Sequence, residues 1–345
     1  MTAPLEVTFL DDGGQPAAEV LDRLVAFIEA AHSTLDVAVY DAHLSDDHAN
    51  RLIAAFDSAE ARNVKVRAVY NDEPKGNAVV PPPSGPSSLA RLAASIPSTA
   101  IPGVPDLMHH KYIVRDAAGV WTGSTNWTDD AWTHMENVIV TVASADVAAA
   151  YMADFDELWN GKRVETSGTV VDQPATVGDA QVRAMFSPGR GRQLGLTIAG
   201  SIGRARERVR ICSPVLTSGP ILSTMAELLD DKRCDATVTV DAPQMEQALK
   251  QWAADGRARW KVPLFERVRS AGVLAEKSSR PFQAGPPHNY MHAKIVVADD
   301  VVFTGSYNCS HSGERNAENV LEIRSAELAD AFAAYCDRVH AKYAP

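Results

Sequence analysis

Two tandem α/β units, each a mixed sheet covered by helices, form the fold that this sequence predicts. Three observations carry the prediction. The chain has 345 residues, too long for one ordinary core and suited to two of about 150–200 residues. Short β-rich runs alternate with helix-periodic runs, and the same order occurs twice. A polar pattern, His-x-Lys-x4-Asp followed by Gly-Ser-x-Asn, also occurs twice, its histidines 183 positions apart.

In the first half, Leu5–Leu10 reads as a strand, Ala17–Ala31 as an amphipathic helix and Thr34–Tyr40 as a second strand. Asp46–Ala61 follows as a helix and Val64–Tyr70 as a third strand. Segment 71–88, rich in proline and glycine, reads as a loop. Strands are expected near Lys111–Arg115, Val120–Gly123 and Asn137–Val142. Ser144 is placed to cap a closing helix that reaches Trp159. The second half repeats the order. Gln181–Phe186, Val209–Ser213 and Ala236–Asp241 are strands, and Leu194–Ala205, Leu222–Leu229 and Pro243–Ala254 are helices. The motif strands follow at Ala293–Ala298, Val301–Thr304 and Asn319–Ile323, with a final helix at Ala326–Tyr343. The expected division is 1–165, a linker at 166–180, and 181–345.

The net charge of −11 argues against a broad surface for duplex DNA. Two local basic stretches stand out, seven arginines from Arg183 to Arg210 and seven basic residues from Arg257 to Arg280. They read either as solvated faces or as a positive rim that attracts an anion. No apolar run reaches the roughly 20 residues of a bilayer span, and the first residues do not resemble a secretory signal. The four cysteines lack a Cys-x-x-Cys spacing. A cytoplasmic, monomeric protein with reduced thiols, no cofactor and no obligate protein partner is therefore expected.

The first motif holds His109, Lys111, Asp116, Gly123, Ser124 and Asn126. The second holds His292, Lys294, Asp299, Gly305, Ser306 and Asn308. A Glu-Asn pair enters an apolar run after each, at Glu136 and Glu318. One histidine on a strand is usually structural, but recurrence of the whole set in two places is not. His and Lys at i and i+2 of a strand share a face. Ammonium and amide groups can hold phosphoryl oxygens as charge builds. One imidazole can attack phosphorus while a second protonates the leaving oxygen and later activates water. Glu136 and Glu318 are candidates to orient the two rings. The histidines and aspartates show no metal-ligand spacing, so no metal is expected. His110 is expected to point away from the site. His134, His288 and His311 could line its mouth. Trp127 and Trp132 could stack on substrate or fill the core. The segment Ser187-Pro-Gly-Arg is more a turn before a helix than a phosphate loop.

These paired motifs resemble the signature of the phospholipase D superfamily. The resemblance spans most of both halves. It implies two α/β/α sandwich units related by a pseudo-twofold axis, with one active site at their junction. It further implies that His109 forms a phosphohistidine and His292 serves as general acid and then base, an assignment the near symmetry could reverse. Asp116 and Asp299 are implied to be structural. The expected substrate is an anionic phosphodiester. A phospholipid is favoured, with hydrolysis or head-group exchange, because the acidic chain and its apolar segment at 78–83 suit peripheral membrane contact. Single-stranded nucleic acid is the alternative, since Thr122–Thr128 is worded like nuclease members. An idle binding module is the third reading, and two intact motifs count against it.

Overall fold

The computed structural model describes residues 3–72, 87–171, 173–280 and 287–345. The apolar segment at 78–83, most of the loop 71–88 and linker residue 172 lie outside the described residues. The first half runs β1 (Leu5–Leu10), α1 (Ala17–Glu29), β2 (Thr34–Val39), β3 (Ala42–His43), α2 (Asp46–Ala61), β4 (Lys65–Asp72), α3 (Leu89–Ser95) and β5 (Ser98–Pro102). It continues with β6 (Lys111–Arg115), β7 (Gly119–Gly123), β8 (Trp127–Thr128), α4 (Asp129–Thr133), β9 (Asn137–Ala143) and α5 (Ala145–Gly161). The second half runs β10 (Ala175–Val177), β11 (Ala180–Ser187), α6 (Gly191–Arg204), β12 (Arg208–Cys212), α7 (Gly219–Asp230), β13 (Asp235–Asp241) and α8 (Ala242–Ala254). Then come α9 (Lys261–Ser270), β14 (Leu274–Lys277), β15 (Ile295–Ala298), β16 (Val301–Gly305), β17 (Glu318–Arg324) and α10 (Ala326–Tyr343).

The first sheet has the order β1-β9-β7-β6-β2-β4-β5, and the second β10-β11-β17-β16-β15-β12-β13-β14. Strand for strand this is one sheet built twice, with β10 added at an edge. In both, the last three strands are parallel and the others antiparallel. The central parallel strands are largely buried because both their faces are covered. Strand β2 (TLDVAV) is buried from its second residue on. The serine hydroxyls of Ser45, Ser144 and Ser325 accept the amides of His48, Val147 and Leu328, which fixes the starts of α2, α5 and α10.

Helices α1 and α2 cover the outer face of the first sheet, and α6, α7 and α9 that of the second. Between the sheets, α5 and α10 lie in a core shared by both halves, which includes Val140, Phe155, Phe186, Leu321 and Phe332. Each closing helix packs on its own sheet and reaches the other. Tyr151 of α5 meets Phe186 of β11 edge-on, with ring centres 5.1 Å apart, and Tyr335 of α10 stacks on Phe9 of β1 at 4.6 Å. The two α/β units are thus related by a pseudo-twofold axis and share one interior.

The linker expectation needs correction. Ser167 is buried, and β10 (Ala175–Val177) pairs with β11, so the end of segment 166–180 joins the second sheet. Also unforeseen were α3, β5, α9 and β14, whose strands are short, lie toward a sheet edge and carry proline or charge (STAIP, LAEK). Several residues of the basic stretches enter ion pairs. Arg183 meets Glu322, Arg208 meets Asp330, Arg210 meets Asp235 and Asp337, and Arg269 meets Glu266 and Glu276. All four cysteines are free. Among the described residues, no helix is long and apolar enough to cross a membrane.

Candidate active site

The two motifs meet where the sheets face each other. The amide of His109 donates to the carbonyl of Ala317 in the other half (2.9 Å), and the amide of His292 donates to that of Glu136 (3.2 Å). Parallel bridges Met108–Ala317 and Glu136–Met291 complete the exchange. Each histidine therefore rests on the strand entry of the opposite half. The residue before each motif is held from its own sheet, by Asn71 for Met108 and by Asp241 for Met291, both at 3.0 Å. Burial raises Asp241 to about 6. Neither anchor belongs to the repeated pattern, so sequence alone offered no signal for them.

Both lysines adopt one arrangement. Lys111 Nζ donates to the carbonyl of His109 and Lys294 Nζ to that of His292, each at 2.6 Å. Burial lowers Lys111 to about 7, against the opposing pull of Glu318 and Asp41. Lys294 is held well below its usual value by burial and then by Lys111. Burial also lowers both imidazoles, and the ammoniums of both motifs add to it at each ring. That mutual influence places four groups able to carry positive charge close together, each held back from its charged form by burial and by the others.

The glycines of the Gly-Ser-x-Asn segments are required by close approach. A Cβ on Gly123 would lie 2.1 Å from the Val138 carbonyl oxygen, and one on Gly305 2.2 Å from that of Asn319. Their φ angles of 147° and 155° also disfavour a side chain. Ser124 and Ser306 follow, each bonded to the strand entry beside it. Ser306 Oγ donates to Glu318 (2.6 Å) and Ser124 Oγ to Asn137 (2.8 Å). Asn126 and Asn308 are partly exposed, and their Oδ1 atoms have no hydrogen-bond partner among the described residues. Asp116 accepts the amides of His32, Ser33 and Thr34, and Asp299 those of Arg206, Glu207 and Arg208. Both aspartates pin the chain ahead of a central strand, away from the pocket.

Glu318 lies 2.8 Å from His109 Nδ1, with Asn316 on its other oxygen. Burial raises it to about 7, against Lys111 and the Ser306 hydrogen bond. Glu136, expected to do the same for His292, does not. Its carboxylate is buried among Lys277 (2.6 Å), Lys342 and Tyr343, while Asn137 Oδ1 stands 3.1 Å from His292 Nδ1. The cause is register. Gly305 pairs with Val320, 15 residues on, but Gly123 pairs with Ile139, 16 residues on. A one-residue slip turns a side chain to the opposite face, so Asn137 occupies the place of Glu318.

Several neighbours play other parts. His110 is fully buried between Asp154 and Asn319, as its position on the strand implied. His134 is partly exposed beside Asp12 and His311 exposed beside Glu314, and His288 stacks on Tyr290. Trp127 and Trp132 belong to the core of the first unit. Ser187 donates to the carbonyls of Gly313 and Asn316, bracing the loop that leads to Glu318. Tyr40, with its ring 4.6 Å from that of His109 and under Lys111 Nζ, was missed because it precedes the motif by 69 positions in the sheet's other branch.

A twofold pair of His-Lys motifs sharing one pocket between two like sheets defines a protein of phospholipase D-like architecture. The chain belongs to the phospholipase D-like domain family described as cardiolipin synthase, whose model matches residues 24–159 and again 198–340. Mitochondrial cardiolipin hydrolase of Xenopus laevis is 42% identical over 53 residues, 15% of this chain and 25% of that protein. The match thus spans about a quarter of that relative. Among solved structures, phosphatidylserine synthase of Haemophilus influenzae Rd KW20 has a similar fold, with a TM-score of 0.70 at 14% identity, covering 98% of this chain and 86% of that one. Polyphosphate kinase of Porphyromonas gingivalis reaches 0.60 at 10% identity, over 96% of this chain and 46% of that one.

Proposed function

We propose that this protein is a phosphodiesterase that cleaves phospholipids, or exchanges their head groups, through a phosphohistidine and without a divalent metal. The observation that carries the proposal is the convergence of both His-Lys pairs, with His109 oriented by a carboxylate from the opposite half. One ring nitrogen attacks phosphorus, and the other imidazole gives its proton to the leaving oxygen. Water or an alcohol, deprotonated by that second ring, then releases the phosphoryl group and regenerates the first. The ammoniums of Lys111 and Lys294 supply the charge that stabilises the pentavalent state, with the amides of Asn126 and Asn308 beside them.

A phospholipid is favoured by the family's description and by relatives named for phosphatidylserine and cardiolipin. Against a nucleic acid stand the net charge of −11 and the pairing of several basic-stretch arginines with carboxylates. The test offers purified protein a chromogenic diester, phosphatidylglycerol or cardiolipin vesicles, and single-stranded DNA, all in chelator. Lipid turnover that His109→Ala and His292→Ala each reduce by at least about 10³, with the fold retained, is expected. Turnover of DNA alone, or only on adding metal, overturns the proposal.

A further inference from the structure

The two rings are oriented by chemically different groups. The direction of the Asn137 amide is fixed by its other partners. Its Nδ2 donates to the Ala131 carbonyl (3.0 Å). Ser124 Oγ accepts the Val138 amide (2.9 Å) and so has its own hydrogen free for Asn137 Oδ1. That oxygen can only accept from His292. Nδ1 of His292 therefore keeps its hydrogen, and Nε2 is the atom that gains and loses a proton. An amide orients a ring as a carboxylate does, but brings no charge to hold an imidazolium. The ionisable groups facing His292 are Lys294, Lys111 and His109, all cationic when charged. His109 faces Lys111, Lys294 and His110, with Glu318 as counter-charge.

We propose that Asn137 is the positioning residue of His292 and that, because it is uncharged, this ring becomes an acid only when the negative charge of a phosphate enters the pocket. The inference rests on the phosphodiesterase reading and adds an order of events to it. The bound diester supplies the missing counter-charge, and His292 takes up a proton on Nε2. As the phosphorus–oxygen bond breaks, that proton passes to the leaving alkoxide and the ring becomes neutral. It then accepts a proton from water, whose oxygen attacks phosphorus, and the phosphorus–nitrogen electron pair returns to the other imidazole. Without a carboxylate behind it, the imidazolium releases its proton more readily.

The experiment titrates the histidine rings by NMR in full-length protein labelled with 15N-histidine, with and without saturating inorganic phosphate. In the wild type, phosphate raises the midpoint of His292 by at least about one pH unit, a tenfold gain in proton affinity. Asn137→Asp raises the midpoint without phosphate and shrinks the phosphate-induced shift. A diester with an aliphatic leaving group needs the acid, and a nitrophenyl diester does not. Asn137→Asp should therefore lower kcat at least tenfold on the first and less than threefold on the second. Should the new oxygen, set against the Ala131 carbonyl, unfold that variant, Glu318→Gln tests the same division. It should lower the midpoint of His109 and slow both diesters alike. A His292 midpoint indifferent to phosphate and to residue 137, or equal losses on both diesters in Asn137→Asp, overturns the proposal. If wild-type protein turns over neither diester, the phosphodiesterase reading fails, while the ring titrations still judge the role of Asn137.

Discussion

Glu136 and Glu318 look like equals in sequence and do different work in the fold, which a pair of substitutions can expose. Glu136 is 1% exposed and Lys277 2%, and they meet at 2.6 Å across the two halves. Asp12 adds a second carboxylate to Lys277 at 3.0 Å, from a partly open position. Removing one member of a buried ion pair costs about 3–5 kcal/mol, because the other charge stays buried without compensation. The Glu136→Gln amide keeps one oxygen that can accept from Lys277, while its NH2 group takes the place of the oxygen facing Tyr343, and Asp12 remains. A loss near the lower end, about 3 kcal/mol, is therefore expected. Turnover should fall less than about threefold, since the Glu136 side chain does not touch a histidine. Glu318→Gln should behave inversely, with a loss of about 10² or more in kcat and a stability change within about 1 kcal/mol. Urea unfolding and initial rates on a chromogenic diester measure both quantities for both variants. If Glu136→Gln proves as inactive as Glu318→Gln while remaining as stable as wild type, the register argument is wrong.

Four further outcomes are expected. Burial lowers Lys111 to about 7, so the free enzyme sheds this ammonium as pH rises through 7, and kcat/KM should fall about tenfold per unit above it; a plateau to pH 9 contradicts this. The unfolded chain holds the same proton up to about 10.5, so Lys111 makes conformational stability rise with pH between about 7 and 10.5, measured by urea titration across that window. Gly305→Ala should cost at least about 2 kcal/mol by unfolding, because its Cβ meets the backbone of Asn319, whereas a change under about 0.5 kcal/mol would show that β16 and β17 can separate. Asp299→Ala removes three backbone hydrogen bonds and should cost about 1–2 kcal/mol with kcat largely retained, as judged by thermal unfolding beside a rate assay.

The fold and the four motif side chains that the structure brings together were legible in sequence because both depend on local spacing. Alternating strands and helices fixed the layers, and a one-residue interval put each lysine beside its histidine. The serine cap at Ser144 follows the same logic, as it needs only the next turn of helix. The basic stretches were less legible, since a run of arginines does not announce carboxylates more than 100 positions away, such as Glu322 for Arg183 and Asp337 for Arg210.

Sequence by itself determined that the chain repeats one sheet and carries two His-Lys motifs, because periodicity and short-range spacing are written along the backbone. Tertiary structure alone decided which residue stands behind each ring. The connection from Asn126 to β9 is one residue longer than that from Asn308 to β17, and strand pairing absorbs the difference by turning Glu136 to a buried ion pair and Asn137 to the site. A strand alternates its faces at every residue, so a count that aligns the two glutamates cannot tell which way either one points.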